Sequence, residues 1–388
     1  MSTKFSMVAT TLYGLEQVLA KELENMGATE IVVKNRAVEF KGNQACMYRA
    51  NMSCRTALRI LLPIGHFKAF KEEHLYKRTK EIDWSKHIRE GQSFAINGVV
   101  HSKIFKHSAY AGLKVKDAIV DQFRDKTGER PNVNPKRPDV LVVLHIDKEY
   151  VKLLLDTSGK PLHMRGYRLD AVQAPISEVL AAGILQLSSW EGQSDFLDPM
   201  CGSGTFCIEA ALMAMNKAPN LARKHFNFMG FADYDPDLLM SVKESLIKEE
   251  KAYNHTIYGL DISKEACGIS RSNVMRIGLS RAIKIQCTDF FNYKPNSKKH
   301  HIVFNPPYGN RLRINPKAFH SDIGDAFKQK YSGCKAWLIS SDIEHIKYIG
   351  LKPSKKTKLI NGKLECRLLE FEMYEGSKKR KNQKEETL

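Results

Sequence analysis

The sequence of 388 residues predicts an α/β protein: an open, mostly parallel sheet of seven strands ending in a hairpin, preceded by a smaller α+β region. Three observations carry that prediction. From about residue 176 onward, short apolar runs alternate with segments of helical periodicity, the rhythm of strand–helix–strand units. The stretch DFLDPMCGSGTFCIEAALMAM, Asp195–Met215, passes from an apolar strand through a turn holding Gly202 and Gly204 into an alanine-rich helix. Upstream of residue 160, short strands and helices are punctuated by turns instead of following a single repeat.

Taken in order, alternating apolar residues around Phe5–Val8 predict a strand and Leu12–Met26 a helix. Strands follow at Glu30–Val33 and Ala37–Phe40, then a helix at Gln44–Asn51 and the apolar run ALRILLPI. This order is that of a ferredoxin-like module, residues 1–66, with nothing in it suggesting chemistry. Next, HLYKRTKEIDWSKHI predicts a helix, FAINGVVHS a strand and HSAYAGLKVKDAIVDQFRDKTG a long helix, followed by the strands DVLVVLHID and YVKLLLDTS. Between Val100 and Arg137 nine Lys and Arg stand against four Asp and Glu, with Phe105, His107 and Tyr110 interleaved. A basic helix beside aromatic rings suits RNA backbone and exposed bases, although a solvated helix face carries similar charges.

LDTSGKPLHMRGYRLDAVQAP has turn chemistry at Ser158-Gly159 and at Gly166 and reads as the hinge between two halves. Ile176–Trp190 predicts a helix leading into the strand that ends at Asp198. Lys217–His255 reads as a helical, charged insertion before the strand TIYGLD, which places Asp261 57 positions after Gly204. A helix at Lys264–Ile277, the strand AIKIQCTD ending at Asp289 and the strand HIVFN follow. The last strands are AWLISSD, KKTKLI and GKLECRLLEFEMYE, with Asn361-Gly362 as a hairpin turn. Beyond Gly376 the segment is too charged to bury a core.

Chemistry concentrates in two loops. Gly202 and Gly204 let backbone lie against a ligand where a Cβ would collide, and the N–H groups opening the following helix favour a negative group. The third glycine of the dinucleotide fingerprint is replaced by Cys207, and no Gly-Lys-Ser/Thr follows. Asp198 instead suits a ligand with an ammonium beside a carboxylate, as on the methionine end of S-adenosylmethionine; an ordinary tight turn would look the same. In HIVFNPPYGNRL, His301–Leu312, two prolines stiffen the backbone after a strand. The Asn305 side-chain oxygen and the Pro306 carbonyl can each accept a hydrogen of an exocyclic amine while Tyr308 stacks on the base, as flipped-out bases are gripped. Asp261 can accept both ribose hydroxyls or belong to a helix cap with Ser263. Asp289 can read an adenine amine with Phe290 over the ring, unless the phenylalanines are core. Neither a base couple nor a metal cluster is evident, and methyl transfer from sulfonium to amine chiefly needs alignment and shelter from water. Arg311 and Arg313, just past the loop, can hold phosphate, although exposed structural arginines would look the same in sequence.

DPMCGSGTFCIEAA followed by NPPYGNRL resembles the class I S-adenosylmethionine-dependent methyltransferases. With LDTSGKPLHMRGYR and the region before it, the chain is similar from about Met7 to Tyr374 to the THUMP-domain RNA guanine-N2 methyltransferases, especially the bacterial enzyme acting on 23S ribosomal RNA. The longest bacterial members carry a second methyltransferase domain that has no counterpart in these 388 residues. The resemblance implies a THUMP RNA-binding domain at 67–160, a Rossmann-like class I methyltransferase domain at 161–376 and a basic tail at 377–388. It implies S-adenosylmethionine as cofactor and Asn305, Pro306, Pro307 and Tyr308 as the catalytic loop. Asp198, Met200, Cys201, Gly202, Ser203, Gly204, Thr205, Asp261, Ile262, Asp289 and Phe290 would surround the cofactor, with Gly166, Tyr167, Arg168 and Pro175 lining its pocket. The expected product is N2-methylguanine in 23S rRNA. A tRNA guanine comes second, and DNA adenine-N6 methylation shares the Asn-Pro-Pro-Tyr logic.

Composition agrees. Sixty-one Lys and Arg against 43 Asp and Glu leave a net charge of +18, suited to a polyanion held by counterion release. A mean hydropathy of -0.38 marks a soluble globular protein. No apolar run is long enough to span a bilayer and the N-terminus lacks a secretory pattern, so a cytoplasmic location is expected. The eight cysteines include no Cys-x-x-Cys pair, which points to reduced thiols and no zinc ribbon. Oligomeric state leaves no trace in the sequence.

Overall fold

The computed structural model describes residues 3–168, 175–295, 299–307 and 315–374. They form two compact units, the first made of Met1–Thr11, Leu19–Leu162 and Asn220–Ser245, the second of Leu12–Val18, His163–Pro219 and Leu246–Leu388.

The first unit is built on one eight-stranded sheet. Its elements are β1 (Phe5–Thr10), α1 (Glu16–Asn25), β2 (Thr29–Lys34), β3 (Ala37–Gly42), α2 (Gln44–Ser53), β4 (Arg59–Lys68), α3 (Glu72–Lys80), β5 (Ser93–His101), α4 (Ser108–Thr127), β6 (Asn132–Val133), β7 (Val140–Asp147) and β8 (Tyr150–Asp156). The strand order is β2-β3-β1-β4-β8-β7-β5-β6. β1 buries Met7 and Ala9 on one face, as its period-two pattern requires. The Asn43 side chain caps α2 by accepting from the Cys46 N–H at 2.9 Å. β4 pairs with β1 on one side and β8 on the other, so the sheet runs through residue 66 without a break. The helix expected over HLYKRTKEIDWSKHI stops at Lys80, and a 3-10 turn at Trp84–Lys86 replaces its second half. Trp84 is fully buried there, its indole N–H donating to the Thr79 carbonyl at 2.8 Å. Of the aromatic residues read as RNA-facing, Phe105 is buried, whereas Tyr110 is exposed with the Lys114 ammonium 5.4 Å from its ring centre.

Part of the charged insertion belongs to this unit. Phe228 stacks on Tyr48 with centroids 4.4 Å apart, the Phe228 N–H donates to the Thr157 carbonyl at 3.0 Å, and the Asn220 N–H to that of Met52 at 3.0 Å. Within the insertion the only long described helix is α7 (Pro236–Lys248), opened by a proline whose missing N–H costs nothing at that position. The stretch before it is a 3-10 turn at Asn227–Gly230 and irregular backbone instead of the continuous helix expected, because its phenylalanines are anchored on a neighbouring surface.

The second unit carries α5 (Glu178–Leu187), β9 (Asp195–Asp198), α6 (Thr205–Ala214), β10 (Ile257–Asp261), α8 (Lys264–Arg276), β11 (Ile283–Cys287), β12 (His300–Phe304), α9 (Pro316–Lys330), β13 (Lys335–Ser340), β14 (Lys355–Asn361) and β15 (Leu364–Glu372). Its seven strands lie in the order β11-β10-β9-β12-β13-β15-β14. The first five are parallel, and β15 runs antiparallel to both β13 and β14. This is the Rossmann-like sheet with a C-terminal hairpin that the alternation predicts. β12 is buried along its whole length, the mark of a central parallel strand. The hairpin turn lies one residue later than expected: Asn361 pairs with Leu364, so Gly362 and Lys363 are its central residues. Only Gly362 has positive φ, +63°, which suits a turn with glycine first and frees Asn361 to remain in the ladder.

Candidate active site

The order of strands fixes where a ligand can sit. β9, β10 and β11 proceed outward in one direction, and the chain then returns to place β12 on the other side of β9. The crevice at the carboxyl ends of β9 and β12 is therefore the switch point at which open α/β sheets bind ligands. Asp198 ends β9, Asp261 ends β10, Asp289 lies two residues beyond β11 and Asn305 one beyond β12. Three acids and one amide thus leave the same edge of the sheet.

The loop between β9 and α6 is pinned from below. Gly202 and Gly204 take φ of +53° and +80°, the left-handed region that side chains disfavour. A Cβ on Gly204 would come within 2.4 Å of the Ser270 Oγ, so any other residue there meets a disfavoured backbone conformation and a hydroxyl that must turn away. The Gly202 N–H donates to Asp261 Oδ2 at 2.9 Å, and the other oxygen of that carboxylate accepts from the Ser263 N–H at 2.9 Å. Ser263 itself caps α8 through the Ala266 N–H, so the cap and Asp261 are two separate devices. Each Asp261 oxygen keeps a second lone pair for a ribose hydroxyl. The Cys201 N–H donates to the Leu260 carbonyl at 2.7 Å, fixing the loop against β10.

Asp198 is 1% exposed, and its only charge-stabilising contact among the described residues is the Met200 N–H at 3.1 Å. Burial pushes its carboxyl well above the usual range; the Met200 N–H opposes that shift, and the nearby Asp261 charge adds to it. A buried acid of this kind would be held in its charged form by a cationic ligand. The ammonium of S-adenosylmethionine is such a cation, so the residues present fit that cofactor.

Comparison with known proteins decides the family. Residues 165–370 match the family model described as "RMKL-like, methyltransferase domain", residues 6–61 the RlmL ferredoxin-like domain and residues 69–156 the THUMP domain. The chain belongs to the THUMP-domain class I RNA methyltransferases. A Synechocystis protein named "Putative RNA methyltransferase" is 35% identical over 369 residues, 94% of this chain and 96% of that one. The crystal structure of SMU.472, described as "a putative methyltransferase complexed with SAH", superposes with a TM-score of 0.88 at 30% identity, covering 97% of this chain and all of that one. A Listeria monocytogenes structure described as "a predicted N6-adenine-specific DNA methylase" gives 0.86 at 28% identity, covering 97% of each chain. This methyltransferase accordingly uses S-adenosylmethionine.

Within the methyltransferase site, Cys201, Ser203 and Thr205 are buried and Met200 is half-buried against the core. Ile262 is 75% exposed, one residue beyond the end of β10. Asp289 is half-buried and accepts from the Phe291 N–H at 2.9 Å. Phe290, by contrast, is 3% exposed and stacks on Tyr331 in the core, so it supports the strand end from beneath. Asn305 and Pro307 are half-buried and Pro306 is buried. Tyr308, Arg311 and Arg313 lie outside the described residues.

The stretch expected to line the pocket divides in character. Gly166 is exposed with φ of +91°, and Pro175 is half-buried. Tyr167 is buried, its hydroxyl donating to Glu209 of α6 at 3.1 Å, and burial beside Glu209 raises its pKa well above the usual phenol value. Arg168 donates to Thr205 Oγ1 at 2.6 Å and to the Ile176 carbonyl at 3.0 Å. Arg168 thus holds the first turn of α6 and Tyr167 the start of the second.

Sequence reasoning missed a second brace on α8. Ser270 packs under Gly204, Asn273 donates to the Ser203 carbonyl at 3.1 Å, and Arg276 donates to the Tyr167 carbonyl at 2.8 Å. The signal was present: three polar residues spaced three apart form one stripe on a helix, where apolar residues would be expected to face the sheet.

Proposed function

We propose that this methyltransferase places one methyl group on the exocyclic N2 of a guanine in 23S rRNA. The observation that carries the reading is the departure of Asn305-Pro306-Pro307 from the sheet beside the pinned glycine loop, with β12 and β9 in direct register, Ile302 opposite Leu197. S-adenosylmethionine, when bound, supplies an electrophilic methyl on a sulfonium. The Asn305 side-chain oxygen and the Pro306 carbonyl accept the two hydrogens of the guanine amine, drawing the nitrogen toward tetrahedral geometry and stabilising its positive charge as the N–C bond forms. Because the amine becomes strongly acidic once alkylated, its proton can leave to water without a dedicated base. Alignment and dryness are then the main contributions of the protein.

An RNA substrate is supported by the THUMP match, by the basic stretch Val100–Arg137 and by the net charge of +18. The ribosomal target is supported by the RlmL-type ferredoxin-like domain. The division into 1–66, 67–160, 161–376 and a basic tail 377–388 gives the first two parts to RNA positioning and the third to chemistry. The site residues are those of the glycine loop, Asp261, Ile262, Asp289 and the Asn305 loop, and the protein acts in the cytoplasm. Nucleoside mass spectrometry of rRNA, tRNA and genomic DNA from cells lacking the protein tests this. Loss of one N2-methylguanosine from 23S rRNA is expected. Loss from tRNA instead would move the substrate to tRNA, and loss of N6-methyladenine from DNA would favour the activity named for the Listeria neighbour.

A further inference from the structure

We propose that Tyr348 and His345, with Lys317 and Lys347, form a stacking site for an RNA base adjoining the target nucleotide; the inference rests on the RNA reading above and adds the binding determinant that holds the flanking strand. β13 is the hydrogen-bonded neighbour of β12, Leu338 opposite Phe304, so the chain leaving β13 emerges on the edge from which Asn305 departs. That chain reaches Asp342, whose N–H donates to Ser340 Oγ at 3.0 Å and whose carboxylate holds His345 Nδ1 at 2.6 Å. His345 lies 6.1 Å from the Tyr348 ring centre at 30° and 6.2 Å from His320 at 29°, a series of near-parallel rings.

Two cations converge on one end of this series. The ammonium groups of Lys317 and Lys347 lie 5.4 and 5.3 Å from the Tyr348 ring centre. One cation over a ring is a common surface contact; two of like charge on the same ring repel each other and gain if an anion joins them. Tyr348 and His345 are half-buried, so each keeps some exposed surface, while His320 and Ile349 are buried and anchor the series. Asp342 is engaged by His345, and of the charges left beside Tyr348 the two lysines outnumber the exposed Glu344.

An aromatic face bordered by ammonium groups fits a nucleobase whose own phosphate lies alongside. Chemistry on an exocyclic amine of a base requires that base to leave its stack, which deprives the flanking base of a neighbour. A protein ring at the same edge of the sheet replaces that neighbour.

The test uses the full chain, labelled S-adenosylmethionine and unmodified ribosomal RNA and tRNA from cells lacking the protein. Tyr348→Ala is expected to raise KM for RNA about tenfold, a typical cost of losing one base stack, and to lower kcat far less. Its cofactor affinity and thermal midpoint should match those of the parent, and Tyr348→Phe should restore KM. Lys317→Ala with Lys347→Ala should weaken RNA binding and flatten its dependence on salt. An unchanged KM in Tyr348→Ala, a defect shared by Tyr348→Phe, or an equal loss of cofactor affinity would each overturn the stacking site. Transfer by the parent to none of the RNA would instead overturn the RNA reading, and the flanking site with it.

Discussion

At the scale of single residues, two side chains divide the work. If Asn305 acts only on the amine, Asn305→Ala should leave cofactor affinity within about twofold and lower kcat by about a hundredfold or more, the usual effect of removing one charge-stabilising group. Equal losses in cofactor affinity and turnover, measured by calorimetry and single-turnover kinetics, would assign Asn305 to binding. Asp198 makes the opposite prediction. Its carboxyl is raised above the ordinary 3.8 by burial, so the folded ligand-free protein binds that proton more tightly than the unfolded chain. This stabilisation is fully present below the unfolded pKa and is lost as pH rises through the folded value. The cofactor ammonium requires the ionised form, so affinity should grow with pH over the same window. Asp198→Asn should abolish both trends and bind the cofactor weakly; a titration that keeps its slope in this variant would refute the role. The acids at strand ends were legible because an Asp closing an apolar run has few structural reasons to be there. Phe290 was not, since an aromatic beside a site and an aromatic beneath it have the same sequence signature.

Elements explain why the loop holds its shape. Gly204 sits between a strained backbone and Ser270, so Gly204→Ala should lower cofactor affinity at least tenfold, about 1.4 kcal/mol, and Ser270→Ala in the same chain should recover part of it. No recovery would mean that backbone conformation alone sets the cost. β12 carries its own sensor of acid. His301 is buried, stacked on Trp337 at 4.4 Å and bonded through Nε2 to Ser188 Oγ at 2.8 Å. Burial lowers its pKa from 6.5 to about 3, so its contribution to stability is present above 6.5 and lost as pH falls toward 3. About 2 kcal/mol should disappear between pH 7 and pH 5, and His301→Phe should lose less over that interval in urea titrations. Equal slopes for both proteins would exclude His301. Strands and helices of this unit follow from apolar period and caps. The slipped hairpin turn shows the limit, because Asn361-Gly362 and Gly362-Lys363 both satisfy local turn chemistry and cross-strand pairing chooses between them.

For the whole molecule, the alternation of strands and helices after residue 176 was enough to foresee the sheet, and the two loops were enough to foresee at which edge of it the strand-end acids and Asn305 gather. The membership of the two units was not foreseeable. Asn220–Ser245 lies in sequence within the methyltransferase half yet folds with the first unit, and Leu12–Val18 does the reverse. Such exchanges depend on which surface an aromatic such as Phe228 finds, and that surface is assembled from Tyr48 and Thr157, far away in the chain. By the function proposed above, the pinned glycine loop and the Asn305 loop together pass a methyl group to a guanine amine of RNA. Incubating the full chain and labelled S-adenosylmethionine with unmodified 23S rRNA, tRNA and duplex DNA, then digesting each to nucleosides, tests it directly. Label in N2-methylguanosine from the ribosomal RNA is the predicted result, and label in N6-methyladenine, or in no nucleoside of the RNA, would contradict it.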